Sequence, residues 1–548
     1  MVKDNYYKFI IENFGIDIEI EYFDLDKKSF LKDHSYGLSD PSNIDFKCKK
    51  SGVYTIIIKP KVSSENTKKG FYSILLNSSK LNLTKFNYSK LVQDFDILQN
   101  AYIETRVGLW YNSRIQFDSI CNLQKSKIKD KMSSLDLYQI LAPIVSFTKE
   151  GHCKIGISDE LNLFSKQNYK YLPLLVKIIN DKVYILNQIN NLDTKGMMIS
   201  KINGVEIDKI MKLFLTIHPS DGFNYTGKYH RIERRFSQYY TNFINNNSIN
   251  FNLEIINPIT NNVIKIDNIS TLNYEEFTTS QNELLSKLPN YSYNEVSFIK
   301  IENEIRTATI TFNNFATNKY KDGKLGFQKI VESYFKTISD NNIENLIIDV
   351  RKNEGGEQGM EDYLLSYLIT DEYLKYKYVE IPSFNFTFLQ HTTYNTKISQ
   401  KEFEESLKEE FFVNKDGRYL NIKGMYEGEK PKKNNFKGKL FILINGLTFS
   451  GGSEFAALAK NYTNAKFIGE ETGGGYYGNT SGTFLNFTLP NTGLKGRIPL
   501  CKFVVETKEY KIPFGRGILP DYQVQPTINE FLNNFDAEME FTKKMINK

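Results

Sequence analysis

A multidomain α/β protein is what the sequence predicts. Its length, its changes of texture along the chain, and the short apolar runs that alternate with helical stretches in its C-terminal half all point there. At 548 residues the chain has room for three or four domains of roughly 100–200 residues each. Hydrophobic residues make up 40% and charged residues 24%, a balance that forms packed cores and excludes wholesale disorder. The 70 Lys and Arg against 64 Asp and Glu leave a net charge of only +6, so a nucleic-acid partner is not expected. Cys48, Cys121, Cys153 and Cys501 lie far apart and form no CxxC pair, which points to neither a zinc site nor a disulfide framework. Apolar runs such as LFILI at 440–444 fall far short of the ~18 residues that a membrane-spanning helix needs, and they suit buried strands.

Residues 1–85 read as a β-sandwich module. Residues 16–23 (IDIEIEYF) alternate apolar and acidic side chains, and 52–60 (GVYTIIIKP) and 70–76 (GFYSILL) are β-branched and aromatic runs separated by turn chemistry. Residues 86–165 turn helical. Apolar residues recur every three or four positions over 91–105 and 135–147, with Ser133 or Ser134 as N-cap of the second helix. Residues 166–290 form an α+β unit. The string GMMISKINGVEIDKIMKLF at 196–214 reads as glycine, strand, Asn-Gly turn and helix, and a further helix is expected near 229–243. Its Gly-x-x-Ile-x-x-Ile-Asn-Gly signature is PDZ-like, which assigns Gly196, Ile199 and Ile202 to binding an extended peptide. Residues 291–548 are α/β, with buried strands expected at 306–312, 346–350, 440–444 and 466–469 and helices at 327–339 and 453–462.

Two segments carry the chemistry. In LFILINGLTFSGGSEFAALAKN, at 440–461, a strand runs through a short loop with Ser450 into a helix. A hydroxyl at a helix N-terminus sits beside unpaired N–H groups and the positive end of the dipole, so it suits a nucleophile whose oxyanion is met by the amide of Gly451. The plainer reading makes Ser450 or Ser453 an N-cap, with Ser453 the better pure cap. In LIIDVRKNEGG, at 346–356, a strand ends before Gly355 and Gly356, whose amides can form the other half of an oxyanion hole or simply a tight turn. Nucleotide motifs of the GxxxxGK[ST] and GxGxxG kinds are missing from that segment.

Together LIIDVRKNEGG, NGLTFSGGSEFAALAKN, FIGEETGGG and GRGILPD resemble the tail-specific, or C-terminal-processing, serine peptidases. The resemblance covers roughly residues 90–548, and the C-terminal run PDYQVQPTINEFLNNFDAEMEF resembles the Bacteroidetes-type branch. It implies a ClpP/crotonase-like peptidase core with Ser450 as nucleophile and Gly451 with Gly355 or Gly356 as oxyanion donors. Residues 1–85 resemble the small β-sandwich appendages of secreted peptidases. One departure stands out: where many members carry a lysine base, this chain has Gly475 in GEETGGG. Ser450 therefore needs another base. Of the five histidines (His34, His152, His218, His230 and His391), His152 in EGHC sits where members with a Ser–His–Glu arrangement carry GHT. The resemblance implies that it is the general base, with Cys153 a buried thiol. Family spacing puts an acid ~60 residues beyond the serine. Glu509 lies 59 beyond it, with Glu506 nearby.

The implied activity is serine endopeptidase action on protein or peptide substrates, with no metal or organic cofactor. The implied location is periplasmic, cell-surface or secreted, any export signal lying outside this sequence. The alternative is a catalytically inactive relative that binds peptides or apolar ligands, for which His152 would lie far from Ser450. Residues 376–438 are expected to be a long insertion over the active site, 401–410 (KEFEESLKEE) a solvated helix face, and Arg231, Arg234 and Arg235 an exposed basic face.

Overall fold

The computed structural model describes residues 6–547 except 15–17, 25, 36–41, 49–51, 61–70, 80–81, 107–109, 246–247, 288–294, 423–425 and 509–511. The chain divides into two compact units, 1–84 and 85–548. In the first, Tyr6–Phe14 pairs with Ser42–Lys47 and Phe71–Ser79, and Ile18–Phe23 pairs with Ser29–Ser35 and Thr55–Pro60, all antiparallel. Alternate residues of the two central strands, among them Phe9, Ile11, Ile20 and Tyr22, are buried in one shared core. The period-two pattern of the sequence therefore becomes one apolar face per sheet.

The second unit begins with helices Tyr88–Thr105, Arg114–Lys125 and Ser134–Phe147. Ser133, not Ser134, caps the third helix, because Asp136 three residues into it completes a capping box with the Ser133 hydroxyl and N–H. Next comes an antiparallel sheet in the order Val176–Ile179, Lys182–Ile185, Met198–Ile202, Asn250–Ile256, Val263–Ser270. Helices Ile207–Phe214 and Thr226–Phe243 belong to this region, the second kinked at Arg235.

The assignment of Gly196, Ile199 and Ile202 to peptide binding needs correction. Met198–Ile202 is a central strand with neighbours on both edges, so it has no free backbone edge to offer. Ile199 and Ile202 are buried in the core, and Gly196, at φ +78°, gives its N–H to Ile185 O at the turn.

The α/β core holds a six-stranded sheet in the order Ser297–Glu302, Thr307–Phe312, Asn345–Asp349, Lys439–Ile444, Lys466–Gly469, Tyr522–Gln523. It is parallel apart from its first pair. The four strands expected from the sequence are its middle members, and helices Gly323–Asp340 and Gly451–Tyr462 follow the expected pattern. One face packs Ile347, Phe441, Leu443 and Ile468 beneath Met539, Phe541 and Met545 of the C-terminal helix Ala537–Ile546. A second sheet, built on Leu374–Ile381 and Cys501–Val505, takes in Gly478–Ser481, Phe411–Val413 and Tyr419–Asn421. The expected insertion is thus a wall of sheet, with its helix Lys397–Glu410 exposed except for Phe403 and Leu407. Among the described residues no helix is long and apolar enough to cross a membrane.

Leu443 is fully buried under that C-terminal helix. Leu443→Ala is expected to cost about 3 kcal/mol through the cavity it leaves, read as a lower urea midpoint with an unchanged slope; an unmoved midpoint would contradict this packing.

Candidate active site

The strand Lys439–Ile444 ends one face of the site and the helix Gly451–Tyr462 begins another. Ser450 occupies the N-cap position with φ 54° and ψ −127°, a strained conformation for a residue with a side chain, and makes no side-chain cap bond. Its hydroxyl is directed elsewhere: Oγ lies 3.0 Å from Nε2 of His152. Ser453, expected as the better cap, lies inside the helix and donates its hydroxyl to Ser450 O at 2.8 Å.

Several contacts hold His152 in place. The strand Lys154–Gly156 just after it pairs with Lys495–Ile498, and the Arg497 guanidinium donates two 3.3 Å bonds to His152 O. On the other side Gly151 N–H donates to Asp221 Oδ1 at 2.7 Å. The Phe449 ring packs against the imidazole with centroids 4.6 Å apart. Burial first, then Arg497, Arg231 and Lys154, push the His152 imidazole down to about 3, so it is uncharged in the neutral range. Nδ1 is buried and has no hydrogen bond of normal geometry among the described residues, the Thr480 backbone being the polar group that favours its charged form.

The two glycines differ in what their amides can do. Gly355 N–H is already given to Asn353 Oδ1 at 2.9 Å. Gly356 N–H has no acceptor among the described residues and lies close to Gly451. Of the alternatives, Gly356 is therefore the free donor, and Gly355 serves the approach itself. At φ +98°, a Cβ on Gly355 would meet Ser450 Cβ and Gly451 N at 2.7 Å. Asn353, fully buried, also donates from Nδ2 to Phe312 O at 3.1 Å and so ties its own loop to the end of the neighbouring strand; its position two residues before a glycine pair was the only sequence signal of this. Gly475 leaves no room for a lysine, since even a Cβ there would come 2.6 Å from Gly478 O.

The third member of the site is where expectation and structure part. Glu509 lies outside the described residues. Glu506 is corrected: it continues the strand Cys501–Val505, gives its N–H to Lys375 O, and lies by Tyr462. No bond joins it to His152 among the described residues, because the strand pairing carries it away from the histidine.

Two features were not read from the sequence. Asp221 is a buried carboxylate that also accepts from Gly475 N–H at 3.3 Å, and burial pushes it up to about 7. Arg231, expected on an exposed face, is half-buried, donating to Pro219 O at 3.1 Å and stacking 5.3 Å over Phe449. Cys153 is buried beside Glu150 and Tyr102, and burial pushes its thiol well up, which makes it inert rather than nucleophilic.

For Asp221 the folded state holds its proton more tightly than the unfolded chain. The stability this supplies is complete below the ordinary carboxyl range and is lost as pH rises through about 7. Asp221→Asn is expected to gain on the parent protein as pH is raised from 4 to 8, in denaturant midpoints measured side by side; a pH-independent difference would show that the carboxylate is not strained by its burial.

Comparison with known proteins shows what this chain is similar to. No curated protein matches the chain. The structure of mature CPAF complexed with lactacystin is similar at a TM-score of 0.54 and 14% identity, over 84% of this chain and 97% of that one. The crystal structure of mature CPAF is similar at 0.53 and 13%, over 84% and 96%. At such identities the likeness is one of fold. Residues 306–524 match the model of peptidase family S41, a span that contains Ser450 and both glycine pairs but not His152. Over that span the α/β core is similar to peptidase family S41, which supports a serine-type peptidase.

Proposed function

We propose that the chain is an endopeptidase working through Ser450 and His152. The observation that carries the reading is the 3.0 Å separation of Ser450 Oγ and His152 Nε2, within the range a nucleophile and its base require. His152 Nε2 takes the Ser450 proton as Oγ attacks the scissile carbonyl. Gly451 and Gly356 N–H donate to the oxyanion, and the imidazolium returns the proton to the leaving amine. Water, deprotonated by the same histidine, then hydrolyses the acyl-enzyme. A carrier with the same fold would have no need of the bond between His152 and Ser450, so that contact favours the catalytic reading.

An imidazole held to about 3 is in the right protonation state but is a weak base. A carboxylate reaching Nδ1 would strengthen it, and Glu509 is the residue we assign to that task. The region 166–290, read as PDZ-like, would hold extended substrate at an edge strand rather than at Met198–Ile202. The tail-specific and extracytoplasmic attributes of the reading rest on sequence resemblance.

Intact-mass measurement after a fluorophosphonate tests the nucleophile: one adduct is expected on the parent protein and none on Ser450→Ala, with labelling of His152→Ala slowed at least ~100-fold. Labelling that survives Ser450→Ala would remove the assignment. Glu509→Gln is expected to lower kcat by ~100-fold or more, whereas Glu506→Gln stays within about threefold; the reverse ranking would reassign the acid.

A further inference from the structure

Ser450 and Gly451 open onto a cavity of about 370 Å³ whose other walls include Glu361, Glu410, Glu454 and Tyr426. Three of its lining residues are glutamates, and none is lysine or arginine. Behind it lies a buried charge cluster. Lys375 Nζ is bonded to Glu361 Oε1, lies 2.7 Å from Asp362 Oδ2 and 3.7 Å from Glu454 Oε2. One ammonium thus faces three carboxylates. Most of their oxygens are satisfied: Glu454 accepts from Tyr376 OH at 2.7 Å and Asn479 Nδ2 at 2.9 Å, Asp362 from Tyr373 OH at 2.6 Å, and Glu361 Oε1 from Gly359 N–H at 3.2 Å. Glu361 Oε2 is the exception. The residue is 1% exposed, and this oxygen is buried without a hydrogen-bond partner among the described residues. An unpaired buried carboxylate oxygen is costly and calls for a donor.

We propose that this cavity is the pocket for a lysine or arginine side chain of the substrate, whose charged N–H groups are received by Glu361 Oε2. The proposal rests on the reading of Ser450 as nucleophile and adds the substrate class. A cation entering the pocket offsets the excess negative charge of the cluster and supplies the missing donor in one step. The residue it belongs to follows from the chemistry. His152 must protonate the leaving amine, so the leaving side faces the histidine. The cavity is lined by Ser450 and Gly451 but not by His152, and therefore takes the side chain of the residue that provides the attacked carbonyl. Burial first, relieved in part by Lys375 and aggravated by Asp362 and Glu454, raises the Glu361 carboxyl to about 7, which agrees with a cluster whose one ammonium does not balance three carboxylates.

The test separates recognition from cleavage. Peptides Ac-Ala-Ala-X-Ala-Ala-NH₂, with X as Lys, Arg, Leu or Glu, are titrated by calorimetry into Ser450→Ala protein, and the same set is given to the parent protein to measure kcat/KM after X. Lys or Arg is expected to lead Leu by ~10-fold or more in both, with Glu the poorest. Glu361→Gln should reduce the Lys-to-Leu ratio to within about threefold, and Glu410→Gln, at the exposed rim, should reduce it less. Binding in which Leu equals or exceeds Lys overturns the proposal, whether or not the parent protein cleaves anything. Selective binding without cleavage upholds the pocket and counts against the peptidase reading alone.

Discussion

Ser450 and His152 are 298 residues apart in sequence, and the bond between their side chains is the interaction on which the organisation of residues 85–548 turns. Neither partner is fixed by its own segment. Ser450 is held by the strand-to-helix turn, with Thr448 Oγ1 donating to Val350 O at 2.9 Å and Phe449 N–H to Asn353 O at 3.0 Å. His152 is held by Asp221 on one side and Arg497 on the other. Helix, antiparallel region, hairpin and core each contribute one tie, and the dyad is their joint product.

The electrostatic setting has a direction. Arg497, Arg231 and Lys154 surround the histidine and keep it uncharged, whereas the opposite side of Ser450 is acidic, with Glu361, Glu410 and Glu454 in the cavity wall. The serine thus sits at the boundary of two fields of opposite sign.

What could be read from the sequence was what depends on near neighbours. The core strands followed from apolar runs bounded by turns, and the place of Ser450 at a strand-to-helix turn from its strand–loop–helix string, while its role as nucleophile came from the family resemblance. Ile199 and Ile202 were misread because their apolar spacing is the same whether a strand lies at an edge or in the middle of a sheet; only the pairing partners decide. Arg231 looked exposed because it lies in the basic string KYHRIERR, yet Phe449, more than two hundred positions away, covers it. Asp221, Lys375 and Glu361 had no sequence signal for the same reason: their meaning lies in contacts with distant segments.

The pairing of Lys154–Gly156 with Lys495–Ile498 also sets a timetable. A ribosome delivers the chain from its N-terminus, so the histidine is made early and waits for a clamp encoded nearly at the end. Between the emergence of Ser450 and that of Arg497, the nascent polypeptide contains both side chains but not the hairpin that aligns them. The alignment of the pair is thereby tied to near-completion of synthesis, since a chain that stops short of that hairpin lacks the strand that pairs with Lys154–Gly156.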